Sequence, residues 1–63
     1  MTVWYGDSCK VDPGVPHNRL RKIASAEIEK IISATGGIAE RVEIDYPHNG
    51  SDRLAWKVLI NHG

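Results

Sequence analysis

Phenylalanine is missing from this chain of 63 residues, cysteine occurs once, and neither sign of charge is in excess. The lone Cys9 excludes an internal disulfide and points to a reducing compartment, so a cytoplasmic protein is expected. No apolar run is long enough to span a bilayer, and the first residues show no charged-then-apolar leader, so no membrane association is expected. Eight Lys and Arg balance eight Asp and Glu, which lacks the basic surplus of a general nucleic-acid binder. Cys9, His17, His48 and His62 show neither C-x-x-C nor H-x-x-x-H spacing, so no metal is expected. No Gly-rich phosphate loop is present, and no cofactor is expected.

What the chain does contain is one long helical pattern. Leu20, Ile23, Ala24, Ile28, Ile31 and Ile32 recur at the i, i+3, i+4, i+7 spacing of a single helix face. The spacing predicts a helix over 18–35, opened by an Asn18 cap and closed by a left-handed Gly36. Its outer face carries Arg19, Arg21, Lys22, Ser25, Glu29, Lys30 and Ser33. Ahead of it, the β-branched and aromatic residues 2–5 predict a short strand. Gly6-Asp7-Ser8 are expected to end that strand and begin a loop reaching Pro16, with Cys9 a free thiol within it.

Two further strands are predicted at 38–46 and 53–61 from their alternation. Ile38, Val42, Ile44 and Tyr46 form the apolar side of the first, interrupted by Glu40. Leu54, Trp56, Val58 and Ile60 form that of the second. A loop of His48-Asn49-Gly50 brings the two apolar sides together, pairing Ile44 with Leu54, Val42 with Trp56 and Asp45 with Arg53. A longer loop pairing Tyr46 with Leu54 also does so and sets Glu43 opposite Lys57; the shorter loop is preferred.

The resulting expectation is an α+β fold of one domain, residues 1–63: a two-layer β-α-β-β sandwich with one helix on a three-stranded mixed sheet. The third strand is the most apolar and belongs in the middle, giving the spatial order 1-3-2. Such a fold leaves one sheet face without cover. Arg41, Glu43, Asp45, Arg53 and Lys57 are expected there, together with Ala55 and Leu59, joined by Trp4 if Val3 and Tyr5 point inward. Trp4, Ala55 and Leu59 make a candidate contact patch for another protein or a second copy of the chain.

Arg19, Arg21 and Lys22 are a second candidate site. Cations at a helix start oppose the helix dipole, so their presence suggests a site for an anionic partner, either an acidic protein or a nucleic-acid backbone. His48, Ser51 and Asp52 share one turn, but a hydrolytic centre needs such groups to converge with an oxyanion hole. Turn chemistry explains them, and no catalytic residue is assigned. Glu27, beside the apolar stripe, is expected to bond a strand cation.

The order of a strand, a loop, a long helix and a strand is similar to that of the small tautomerases. Their base is an N-terminal proline, whereas Thr2 follows Met1 here, so that activity is not carried over. In topology β-α-β-β also resembles dodecins and half of a ferredoxin-like fold, which does not imply function. The reading that remains is a small non-enzymatic binding protein of regulator or inhibitor type, working through protein–protein contacts and prone to self-association because its core is small. The alternatives are a nucleic-acid binder using the basic helix start, and an enzyme whose site forms between subunits.

Overall fold

A computed structural model describes every residue from Met1 to Gly63. The elements follow in the order β1 (Thr2–Lys10), α1 (His17–Thr35), β2 (Ile38–Asp45) and β3 (Arg53–Asn61). The sheet has the order β1-β3-β2, with α1 on one face. β3 is the most apolar strand, and it takes the central place because only that place buries its whole alternating face. Leu54, Trp56, Val58 and Ile60 are all buried, and Leu20, Ala24 and Ile28 of α1 meet them. The expected mixed sheet is antiparallel at every hydrogen-bonded pair: β1 and β2 run parallel to each other but are separated by β3. No helix is long and apolar enough to cross a membrane.

The first strand is much longer than the expected 2–5. It runs on through Gly6, Asp7 and Ser8 to Lys10, in unbroken register with β3 from Thr2↔Asn61 to Lys10↔Arg53. Pairing with a strong central strand overrides the local turn preference of these residues. Gly6 has a packing reason to be there: a Cβ at this position would lie 2.6 Å from the Trp56 carbonyl oxygen. The extension also moves Cys9 out of the expected loop. It lies opposite Leu54, half-buried against the core.

The ladder continues past both ends of β1. The Val11 N–H donates to the Asp52 carbonyl at 2.7 Å, and the His62 N–H donates to the Met1 carbonyl at 2.9 Å. Close by, the Met1 amino group donates to the Gly63 carbonyl at 3.2 Å. These bonds also fix which backbone groups of β1 face β3. In an antiparallel ladder, bonded and non-bonded pairs alternate, so Val3, Tyr5, Asp7 and Cys9 bond inward. Thr2, Trp4, Gly6, Ser8 and Lys10 therefore direct their backbone groups to the free edge.

The preferred hairpin register is overturned in favour of the longer loop. Glu43 lies opposite Lys57, Ile44 opposite Trp56 and Asp45 opposite Ala55. Asn49 (φ 52°) and Gly50 (φ 80°) do form a tight turn, with the Ser51 N–H donating to the His48 carbonyl at 2.9 Å. That turn is offset from the ladder, so residues 46–52 make the connection and β2 stops before Tyr46. In this register Lys57 reaches Glu43 at 3.6 Å.

Near its start β2 changes register between Ala39 and Arg41. The extra residue, Glu40, makes a β-bulge, and the bulge shifts the earlier residues by one. Ala39 packs on the core while Ile38, expected on the apolar side, is 72% exposed opposite Asn61 on the other face. The helix start also differs. Pro16, not Asn18, is the N-cap, without a side-chain cap bond; its carbonyl accepts from the Arg19 and Leu20 N–H groups. The helix is anchored instead by His17, which stacks on Tyr46 at a centroid distance of 3.9 Å. Its end is as expected: Gly36 (φ 69°) closes it through an N–H bond to the Ile32 carbonyl.

The Trp56 indole N–H is buried without a partner, a cost on the order of 1–3 kcal/mol. Replacing Trp56 by Phe removes that donor at the expense of some packing. Urea unfolding is expected to place Trp56→Phe within about 1 kcal/mol of the parent, against a loss of about 3–5 kcal/mol for Trp56→Ala. Gly6→Ala is expected to cost about 1–3 kcal/mol because the strand must move.

Candidate functional site

Strand alternation and register set the composition of the uncovered face. Side chains directly opposite each other in a sheet point the same way, so the face is made of cross-strand rows. Trp4, Leu59 and Arg41 form one row; Gly6, Lys57 and Glu43 the next; Ser8, Ala55 and Asp45 the third. Lys10 and Arg53 pair at one end, and Thr2, Asn61 and Ile38 lie at the other. The helix cannot reach this side, and Trp4 remains 43% exposed.

The structure thus brings Trp4 and Leu59 together, with Ile38 beyond them. Ala55 stands apart, separated from Leu59 by Lys57. Lys57 organises the middle of the face. Gly6 opposite it offers no side chain, and the Lys57 ammonium sits 4.7 Å from the centroid of Trp4. The same ammonium is 3.6 Å from Glu43, whose other oxygen accepts from Arg41 Nε at 3.0 Å. These partners are largely exposed, so each ion pair contributes about 0–1 kcal/mol and the cation–π contact about 0.5–1 kcal/mol. The cluster orders the face more than it stabilises the fold.

Arg19, Arg21 and Lys22 lie on the opposite side of the molecule, exposed on the first turns of α1. Ion pairs elsewhere use Lys10 with Asp52, Lys30 with Glu27, and Arg41 and Lys57 with Glu43. Arg19, Arg21, Lys22 and Arg53 have no carboxylate within ion-pair distance, and the first helical turn has no acid. Glu27, expected to bond a strand cation, pairs within the helix to Lys30 at 3.3 Å.

A cleft of about 300 Å³ opens between residues 11–15 and the hairpin loop, with Leu20 at its base. His48, Ser51 and Asp52 line it, yet each is engaged separately. His48 Nδ1 is 2.9 Å from the Tyr46 carbonyl oxygen, Ser51 Oγ accepts from the Arg53 N–H at 3.2 Å, and Asp52 pairs with Lys10 at 3.6 Å. The second notable side-chain pair, Tyr5 hydroxyl with His62 Nε2 at 2.8 Å, holds the chain ends together. No three His, Cys, Asp or Glu side chains converge as metal ligands would.

Sequence reasoning placed the Trp4, Leu59 and Lys57 face correctly but missed Ile38. The signal was Glu40 on an otherwise apolar side, which marks the bulge that exposes Ile38. Comparison of the chain with protein-family models, with curated proteins and with solved structures finds no match.

Arg19→Glu and Arg21→Glu reverse charges that oppose the helix dipole. Arg19→Glu, in the first turn, is expected to raise stability by about 0.3–1 kcal/mol in low-salt thermal or urea unfolding, and Arg21→Glu, past that turn, by less. A loss of stability in either variant would assign these cations a structural contact instead.

Proposed function

We propose that this protein is a small non-enzymatic binding protein of regulator or inhibitor type, acting through protein–protein contacts. The observation that carries this reading is Trp4 beside Leu59 on a sheet face that no layer of the chain covers. Tryptophan gives a large contact area for little ordering cost, and it is enriched at the energetic centres of interfaces. The ionic cluster of Arg41, Glu43 and Lys57 borders that centre with groups that can exchange their weak internal pairs for a partner's. The free thiol of Cys9 fits a reducing, cytoplasmic setting.

A second reading has its own support. Arg19, Arg21 and Lys22 stand without internal partners at a helix start, an arrangement suited to an acidic protein surface or a nucleic-acid backbone. The two readings use opposite sides of the molecule, so one set of variants separates them.

The tagged chain, expressed in the cells that produce it and cross-linked there, is expected to retain a defined protein. A Trp4→Ala, Leu59→Ser double change should reduce its recovery more than tenfold, while Arg19→Glu, Arg21→Glu leaves it. Circular dichroism checks that both variants stay folded. Recovery that is indifferent to Trp4 and Leu59 would remove the protein-contact reading. Co-purifying nucleic acid that is lost with rising salt and with the arginine variants would put the second reading in its place.

A further inference from the structure

The two outer strands of this sheet do not present equal edges. β2 is interrupted by the Glu40 bulge, which breaks the regular row of outward backbone groups. β1 has no bulge and no proline, and its register with β3 is continuous from Thr2 to Lys10. Its outward groups belong to Thr2, Trp4, Gly6, Ser8 and Lys10, as the bonds at both ends of the ladder require. One of them is already occupied: the Ser8 N–H donates to Asp7 Oδ1 at 2.8 Å. Asp7 therefore occupies the outward Ser8 donor with its own carboxylate. The first half of the edge, Thr2-Val3-Trp4-Tyr5-Gly6, carries no charge and is rich in β-branched and aromatic residues.

We propose that the Thr2–Gly6 edge of β1 takes the same edge of a second copy, antiparallel, about a two-fold axis passing beside Trp4. The register follows from the backbone. A pairing centred on Gly6 would set Tyr5 against Asp7 and would need the Ser8 N–H. One centred on Tyr5 sets Thr2 against Ser8 and needs the same donor. The longest register that leaves the Asp7–Ser8 bond intact places Trp4 opposite Trp4, Thr2 opposite Gly6 and Val3 opposite Tyr5 of the second copy. Every outward donor and acceptor from Thr2 to Gly6 is then used, and no charged side chain lies within the paired stretch; the Lys57 ammonium, 4.7 Å from the Trp4 ring, borders the seam on the uncovered face. Both helices lie on one face of a continuous sheet, and the two tryptophans meet on the uncovered face. So short an edge makes a small interface, and the dimer is accordingly weak and concentration-dependent. Trp4 belongs to both proposals, but this pairing rests on the outward backbone groups of β1 and is read out by self-association of the purified chain, so its failure is distinguishable from failure of the face to bind another protein.

The test combines sedimentation with amide exchange up to about 1 mM protein. The parent chain is expected to move from monomer to dimer, with the Thr2, Trp4 and Gly6 amides gaining protection as concentration rises while Ser8 does not. Trp4→Pro removes an outward donor without touching the bonds to β3, as proline on a free strand edge allows; it is expected to be folded and monomeric. Trp4→Glu and Trp4→Lys chains are each expected to stay monomeric and to associate when mixed, because the axis sets position 4 against itself. Asp7→Ala frees the Ser8 N–H and is expected to tighten association several-fold. A parent chain that remains monomeric, a folded Trp4→Pro chain that still dimerises, or Trp4→Glu and Trp4→Lys chains that do not pair would each overturn the proposal. An Asp7→Ala chain with unchanged association would overturn the guarding role of Asp7.

Discussion

The inward side of β3 is the constraint on which the rest of this small fold depends. Leu54, Trp56, Val58 and Ile60 are four of the seven buried residues, and all the others belong to α1. A strand so apolar on one side has to be central, and that single requirement orders the sheet. It sends β1 and β2 to the edges, makes every neighbouring pair antiparallel, and fixes α1 on the side where the four side chains point. The helix adds Leu20, Ala24 and Ile28 to that layer. An unpartnered indole N–H inside so small a core is a sizeable burden for a domain of this length.

The same requirement generates the surface chemistry. Because β3 alternates strictly, its other side carries Arg53, Ala55, Lys57, Leu59 and Asn61, and these recruit matching residues from both neighbours. Lys57 faces Gly6 on one side and Glu43 on the other, so it bridges the aromatic ring of β1 and the carboxylate of β2. The uncovered face is therefore a consequence of how the core is built, with its mixture of apolar and ionic groups set by register.

Much of the architecture was legible in the residues, and the exceptions share a cause. The helix follows from periodicity, the Gly36 cap from a glycine stop signal, and the central place of β3 and the strand order from its apolar content, all of them properties read within one segment. The length of β1, the bulge at Glu40 and the hairpin register depend on pairing with another strand. Gly6-Asp7-Ser8 has turn composition, yet it is held extended by Trp56, Lys57 and Ala55 across the ladder. The Asn18 cap failed because Pro16 already supplies the first carbonyl acceptor and His17 already anchors the helix on Tyr46. Of the candidate site, Trp4 and Leu59 emerged from parity alone. The Lys57 cluster needed the register, Ile38 needed the bulge, and the Asp7–Ser8 bond needed knowledge of which β1 amides face outward.

The contact between Met1 and Gly63 has a topological consequence. Thr2 pairs with Asn61, so the β1–β3 ladder spans nearly the whole chain and is the most non-local pairing in the molecule. Joining the two ends through a short linker and cutting at Asn49-Gly50 would leave every hydrogen-bonded strand pair in place while reordering the chain as β3-β1-α1-β2. The longest-range pairing would become a simple hairpin, and the β2–β3 pairing would become the distant one. The sheet is thus a circuit whose point of opening is independent of its geometry.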